Sequence, residues 1–155
     1  MRAVAQRVLS AKVTVYNDAA GADETTGAIE KGLLVYLGAD KNDTDADARA
    51  MAEKLAVLRI FADENDKMSL SVTDIGGAVL VVSQFTLFGD VRTGRRPSFD
   101  AAAPPELALK LYEDTCAHLR SLGLCTETGR FRAMMQVHSV GDGPITILLD
   151  TKKVF

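Results

Sequence analysis

The chain has 155 residues, 47% apolar and 25% charged, a length and balance that suit one core, a single domain over residues 1–155, and leave little room for extensive disorder. Its formal net charge of -3 offers no overall basic field, so a nucleic-acid partner would have to be met by a local cluster such as Arg92, Arg95, Arg96 and Lys110. Cys116 and Cys125 have no CxxC spacing and no run approaches the roughly 18 apolar residues of a membrane span, so a cytoplasmic protein without metal, cofactor or membrane attachment is expected.

Val4, Val8, Val13 and Val15 stand among alternating polar residues, the period-two pattern of a half-buried strand, broken at Ser10-Ala11. Residues 17–26, from Asn17 to Thr26, are rich in Asp, Ala, Gly and Thr without sustained periodicity and read as a loop. The glycine-bounded apolar run at 32–38 suits a central strand covered on both faces. Asp43-Thr44 can cap a helix over about 44–58, in which Ala48, Met51, Leu55 and Leu58 share one face and Asp45 and Asp47 sit near the positive N-terminal end. Residues 59–61 and 70–72 flank the polar turn formers at 62–67 and predict a hairpin, after which Gly76-Gly77 turn the chain into a strand at 78–82. Residues 91–99 hold Gly94 and Pro97 among arginines and read as a charged loop. Pro104-Pro105 can start a second helix and Gly123 stop it, with Ala108, Leu111, Tyr112, Cys116 and Leu119 as its apolar stripe. Residues 134–140 and 145–150 read as paired strands around a Gly-Pro turn. The sum is an α+β domain, about two main helices over an antiparallel-dominated, barrel-like sheet.

Chemistry concentrates at two places. Ser83, Gln84, Phe85 and Thr86 follow directly on the buried strand at 78–82, where backbone N–H groups are freed and can bind an oxyanion. Read without that chemistry, the same segment is a strand end whose Thr86 hydroxyl bonds locally, since no base that would activate Ser or Thr is identifiable nearby. Gly143-Pro144 reads as a turn on its residues alone, with either peptide isomer open. A triad of Ser83, His138 and Asp142 lacks a GxSxG elbow, and neither His118 nor His138 stands at a metal-ligand spacing. Arg95 and Arg96 suit phosphate contact or an ordinary solvated loop.

These segments, taken in order, resemble one family. Met1-Arg2-Ala3-Val4 with Gln6-Arg7-Val8, then residues 32–35, 58–61, Lys67-Met68, 83–87, 94–99, 128–131 and Gly143-Pro144 together resemble the D-aminoacyl-tRNA deacylases, also known as D-tyrosyl-tRNA deacylases. The resemblance implies hydrolysis of the ester of D-aminoacyl-tRNA, and of glycyl-tRNA mischarged on tRNA-Ala, as a proofreading step. It implies a homodimer with active sites at the interface, where a cis Gly143-Pro144 from one subunit reads the chiral centre in the other. Gln84 and Phe85 take the places of main-chain amides near the scissile carbonyl, and Thr86 that of a threonine once viewed as nucleophile. The resemblance further implies that the substrate's own 2'-hydroxyl helps activate water. Arg7 would hold the Gly-Pro segment, Phe99 would help bind substrate, and Arg95 and Arg96 would touch the acceptor stem. Gly141 stands where many relatives have Asn, and the 17–26 stretch is longer than the usual hairpin. The competing class is a nucleic-acid-binding module that keeps the fold without turnover.

Overall fold

One long strand organises the architecture. The computed structural model describes residues 1–17 and 21–154; of the loop expected at 17–26, residues 18–20 lie outside it. Strand β1 (Arg2–Asn17) pairs antiparallel with β3 (Gly32–Gly38) through Arg2 to Val8 and then, from Ala11 onward, with β2 (Ala22–Ile29). Strand β8 (Met135–Asp150) runs antiparallel along the other side of β1, from the pair Arg2 and Asp150 to the pair Val15 and Met135. β6 (Ala78–Ser83) and β7 (Cys125–Thr128) continue the sheet in parallel from β3, and β4 (Phe61–Ala62) with β5 (Met68–Leu70) forms the small hairpin expected there. The Thr128 carbonyl lies only 2.6 Å from where a Cβ on Gly27 would stand, so β2 returns against β7 and the sheet curls into a nearly closed barrel.

Two helices cover one face. α1 (Asp45–Ala56) starts at Thr44, whose backbone N–H and hydroxyl both donate to the Asp47 carboxylate at 2.9 and 3.0 Å, and α2 (Pro105–Ser121) opens on its proline and is followed by Gly123 at φ +86°. Alternation along β3 divides the core. Leu33, Val35 and Leu37 pack with Met51, Leu55, Leu111 and Leu119 beneath the helices, whereas Leu34 packs with Val8, Val13, Leu80 and Val82 inside the barrel.

Three expectations are corrected. β1 is unbroken at Ser10-Ala11; that point is where it exchanges β3 for β2 as neighbour. Residues 22–26 belong to β2 and not to a loop, because none of them is buried and an unburied stretch of strand has no need of apolar alternation. Residues 134–140 and 145–150 are not two strands about a turn. They lie in or border one strand, β8, which keeps pairing with β1 across Gly143-Pro144 by register shifts between Gln6 and Val8 and between Val8 and Ser10.

Candidate active site

β6 ends at Ser83, and the Gln84 N–H still donates to the Leu37 carbonyl at 2.8 Å before the chain coils into a single 3-10 turn, Phe85–Phe88. Within it the Leu87 N–H reaches the Gln84 carbonyl at 3.4 Å, and the Gly89 N–H closes the turn on the Thr86 carbonyl at 3.0 Å. The amides of Phe85 and Thr86 have no hydrogen-bond partner among the described residues, as the first amides of any such turn do not. The turn can press this closely on the sheet because residue 38 is glycine: a Cβ there would stand 2.8 Å from the Gln84 carbonyl oxygen and 3.2 and 3.3 Å from ring atoms of the buried Phe88. Exposed Thr86 accepts a hydrogen bond from the Gln84 side-chain amide, its local partner.

Beside the turn lies a cavity of about 680 Å³. Ser83, Gln84 and Phe85 form its rim, and Phe99 stands edge-on to Phe85 with ring centroids 5.0 Å apart. Met1, Gly38, Tyr112, Phe131, Met135 and Val137 line its depth. Tyr112 donates to the Val81 carbonyl at 2.8 Å, and burial pushes its hydroxyl pKa well up, so it stays neutral at physiological pH. Among the described residues Arg132 is the lining residue with a charged side chain, and no Asp, Glu, His, Cys or Lys lines the cavity. Such a space can hold an aromatic or aminoacyl group and stabilise negative charge on a carbonyl oxygen, while offering no side chain to generate a nucleophile.

A profile of the D-Tyr-tRNA(Tyr) deacylase family matches residues 4–150. The chain belongs to that family. It is 60% identical over 155 residues to the D-aminoacyl-tRNA deacylase of Koribacter versatilis and 57% identical over 155 to that of Thermotoga petrophila, with both chains covered in full in each case. Among solved structures it resembles a c-Myc DNA Unwinding Element Binding Protein, with a TM-score of 0.87 and 41% identity over 97% of this chain and 99% of the other. A probable eukaryotic D-amino acid tRNA deacylase shares the fold at a TM-score of 0.83 and 18% identity, over 96% of this chain and 97% of that one.

In this deacylase-family chain the expected site residues separate into three places. Ser83, Gln84, Phe85 and Phe99 meet at the cavity, with Thr86 on the adjoining turn. Gly143 and Pro144 are exposed on β8 and do not line it; their peptide bond is cis, and Gly143 has φ +127°. Arg7 anchors that segment, its Nε donating to the Asp142 carbonyl at 3.2 Å and pairing with the Asp142 carboxylate at 3.0 Å while a terminal nitrogen reaches the Ile60 carbonyl at 2.7 Å. Arg95 and Arg96 are exposed on the loop after the turn.

The triad of Ser83, His138 and Asp142 does not assemble, since His138 lies 3.5 Å from the Thr14 hydroxyl and Asp142 is taken by Arg7. The expected basic cluster also shrinks. Arg92 is paired with Asp90, and Lys110 with Asp45 and Asp114, which leaves Arg95 and Arg96. Among the described residues no group of three or more His, Cys, Asp or Glu is arranged to hold a metal, and no helix is long and apolar enough to cross a membrane. The residues that sequence reasoning missed are those of the cavity floor, Gly38, Tyr112, Met135 and Val137; Met1 and Phe131 fell in segments that resembled the family without a role attached.

Proposed function

We propose that this member of the deacylase family hydrolyses the ester of D-aminoacyl-tRNA as a proofreading step, with main-chain donors holding the ester and the RNA supplying the chemistry that the side chains lack. The observation that carries the reading is the cavity itself: the unpartnered amide of Phe85 at its rim with that of Thr86 on the adjoining turn, and no Asp, Glu, His, Cys or Lys among the described residues of its wall. The Phe85 and Thr86 amides, flanked by Ser83 and Gln84, bind the carbonyl oxygen as it becomes an oxyanion, a role in which one fixed donor is worth about 10²–10³ in rate. The 2'-hydroxyl of the terminal ribose then directs water to the carbonyl. Phe99 and the aromatic wall take the terminal adenosine or aminoacyl group, and Arg95 and Arg96 meet acceptor-stem phosphates.

Chirality is read across a homodimer. The exposed Gly143-Pro144 segment of one subunit, held by Arg7, enters the cavity of the other and presents carbonyls where an L side chain would need space. The outer edge of β8, carrying exposed Val140 and Leu148, supplies the surface for this association. Glycyl-tRNA, mischarged on tRNA-Ala, is also cleaved, because glycine has no side chain to exclude. The setting is the cytoplasm.

A purified sample incubated with D-Tyr-tRNA and L-Tyr-tRNA tests the activity: free D-tyrosine should be released and the L-ester spared, and equal rates would refute the chiral reading. Mixing a Gly38 variant with a Gly143 variant tests the shared site. Subunit exchange then rebuilds about a quarter of the wild-type sites, whereas continued inactivity of the mixture refutes the cross-subunit arrangement. The 41% identical c-Myc DNA Unwinding Element Binding Protein favours one second reading, a module that binds nucleic acid through the 92–96 loop without turnover; steeply salt-dependent binding with no amino acid released would select it.

A further inference from the structure

Arg2 is the second residue of β1 and lies opposite both Gly38 and Asp150 in the sheet. Three contacts of its guanidinium, each of a different kind, fall on described residues. Nε donates to the Asp150 carboxylate at 2.9 Å, Nη1 donates to the Leu87 carbonyl at 3.2 Å, and Cζ stands 4.7 Å above the centroid of the Phe88 ring. The Asp150 side chain is only 3% exposed, so the pair is a fixed point rather than a solvated surface contact. Two of the three contacts fall on the turn Phe85–Phe88, at the end opposite its free amides. On the side toward the sheet, the missing Cβ of Gly38 lets Phe88 and the Gln84 carbonyl settle against β3.

From this geometry we infer that Arg2 is a positioning residue for the reaction: by clamping Leu87 and Phe88 against Asp150, it sets where the Phe85 and Thr86 amides point. The inference rests on the main-chain reading of the site given above. A turn of four residues is too short to be stiff by itself, since it has few internal hydrogen bonds and a start without partners. Fixing its far end therefore fixes its near end, because the intervening peptides are planar and consecutive. The planar fork of arginine can bond a carboxylate and a carbonyl along its edges while stacking on a ring with its face; a lysine ammonium, a point charge, cannot make all three at once. A simple strap between β1 and β8 would need the Asp150 contact alone.

The test uses Arg2→Lys, Arg2→Met and the double variant Arg2→Met with Asp150→Asn, the last so that no buried carboxylate is left without its cation. Wild type and variants are compared in single-turnover hydrolysis of D-Tyr-tRNA, in thermal unfolding, and in the ¹⁵N-amide spectra and relaxation of Phe85 and Thr86. For the double variant the expected result is a folded protein with KM within about twofold of wild type and kcat lowered ~10- to 100-fold, together with shifted and broadened Phe85 and Thr86 amide signals. Arg2→Lys should fall between it and wild type. Lowered melting temperature with kcat and both amide signals unchanged would mark Arg2 as a strap and overturn the inference, as would a fall in kcat with those amides unmoved. Should wild type itself release no D-tyrosine, the functional reading fails, and the amide signals still decide whether Arg2 positions the turn.

Discussion

Replacing Gly38 by alanine perturbs the turn without touching any side chain proposed to contact substrate. The added Cβ would stand 2.8 Å from the Gln84 carbonyl oxygen, and reaching an ordinary contact of 3.4 Å requires a shift of about 0.6 Å, since β3 is held on both sides and cannot retreat. That oxygen belongs to the same planar peptide as the Phe85 N–H. With the oxygen roughly 2 Å from the axis joining the flanking Cα atoms, the shift tilts the whole unit by about 20°, and the N–H turns with it. Hydrogen bonds weaken as they bend, so the donor is misaimed without being removed, and the expected loss is ~10- to 100-fold in kcat, below the 10²–10³ of outright deletion. Overpacking also costs about 1–3 kcal/mol of stability. Gly76→Ala is the matched control: its φ of +61° imposes a left-handed penalty of about 1–2 kcal/mol, but nothing lies within 4 Å of the new Cβ and it is remote from the cavity lining. Release of D-tyrosine from D-Tyr-tRNA in single turnover, measured beside denaturant unfolding, separates the two effects. A folded Gly38→Ala protein with wild-type kcat would refute the assignment of catalysis to this main-chain turn.

Three further outcomes are expected. Ser83→Ala should lower kcat by less than about fivefold, because no His, Asp, Glu or Lys among the described residues lines the cavity with it, whereas a serine esterase would lose all turnover; the same hydrolysis assay decides. Gly143→Ala should be severe for deacylation yet mild for folding of the barrel, since a Cβ there meets Ile145 Cγ1 at 2.8 Å and its backbone nitrogen at 3.0 Å, at a φ of +127° that L residues rarely adopt; circular dichroism beside the hydrolysis rate would expose the opposite pattern. The third concerns acid. Burial pushes the Asp47 carboxyl up, but the Lys152 ammonium at 2.8 and 2.9 Å, the Thr44 N–H at 2.9 Å and the Thr151 hydroxyl at 2.8 Å outweigh it and hold its pKa well below the ordinary 3.8. A folded pKa below the unfolded one means stability that is present above about pH 4 and lost as pH falls, so Lys152→Met should flatten the decline between ~pH 5 and pH 2 in urea unfolding; an unchanged slope would refute this.

Local chemistry made parts of this fold readable. Asp43-Thr44 with Asp47, and Pro105 with Gly123, announce helix ends through groups that satisfy or terminate the helix within a few residues, and both helices stand where those signals put them. β2 was missed because Ala22 to Thr26 lie mostly in solvent, where burial imposes no alternation. β8 was split because Gly141-Asp142-Gly143-Pro144 has the composition of a turn; only Arg7 and a shift of register, both properties of β1, keep it in the ladder. The rim of the cavity was legible from residues 83–87, a single contiguous segment. Its floor was not, because Met1, Tyr112 and Met135 come together only when α2 and the approach to β8 close over the end of β3.

The pairing of β1 with β8 has a consequence for how the molecule is made. Arg2 and Asp150 are 148 residues apart, and every contact along that ladder waits until the last strand has left the ribosome. Until then β1 offers a long unpaired edge, rich in valine, to any extended segment nearby. Such distant pairing slows folding, and it makes the nascent chain, rather than the finished barrel, the state most exposed to aggregation.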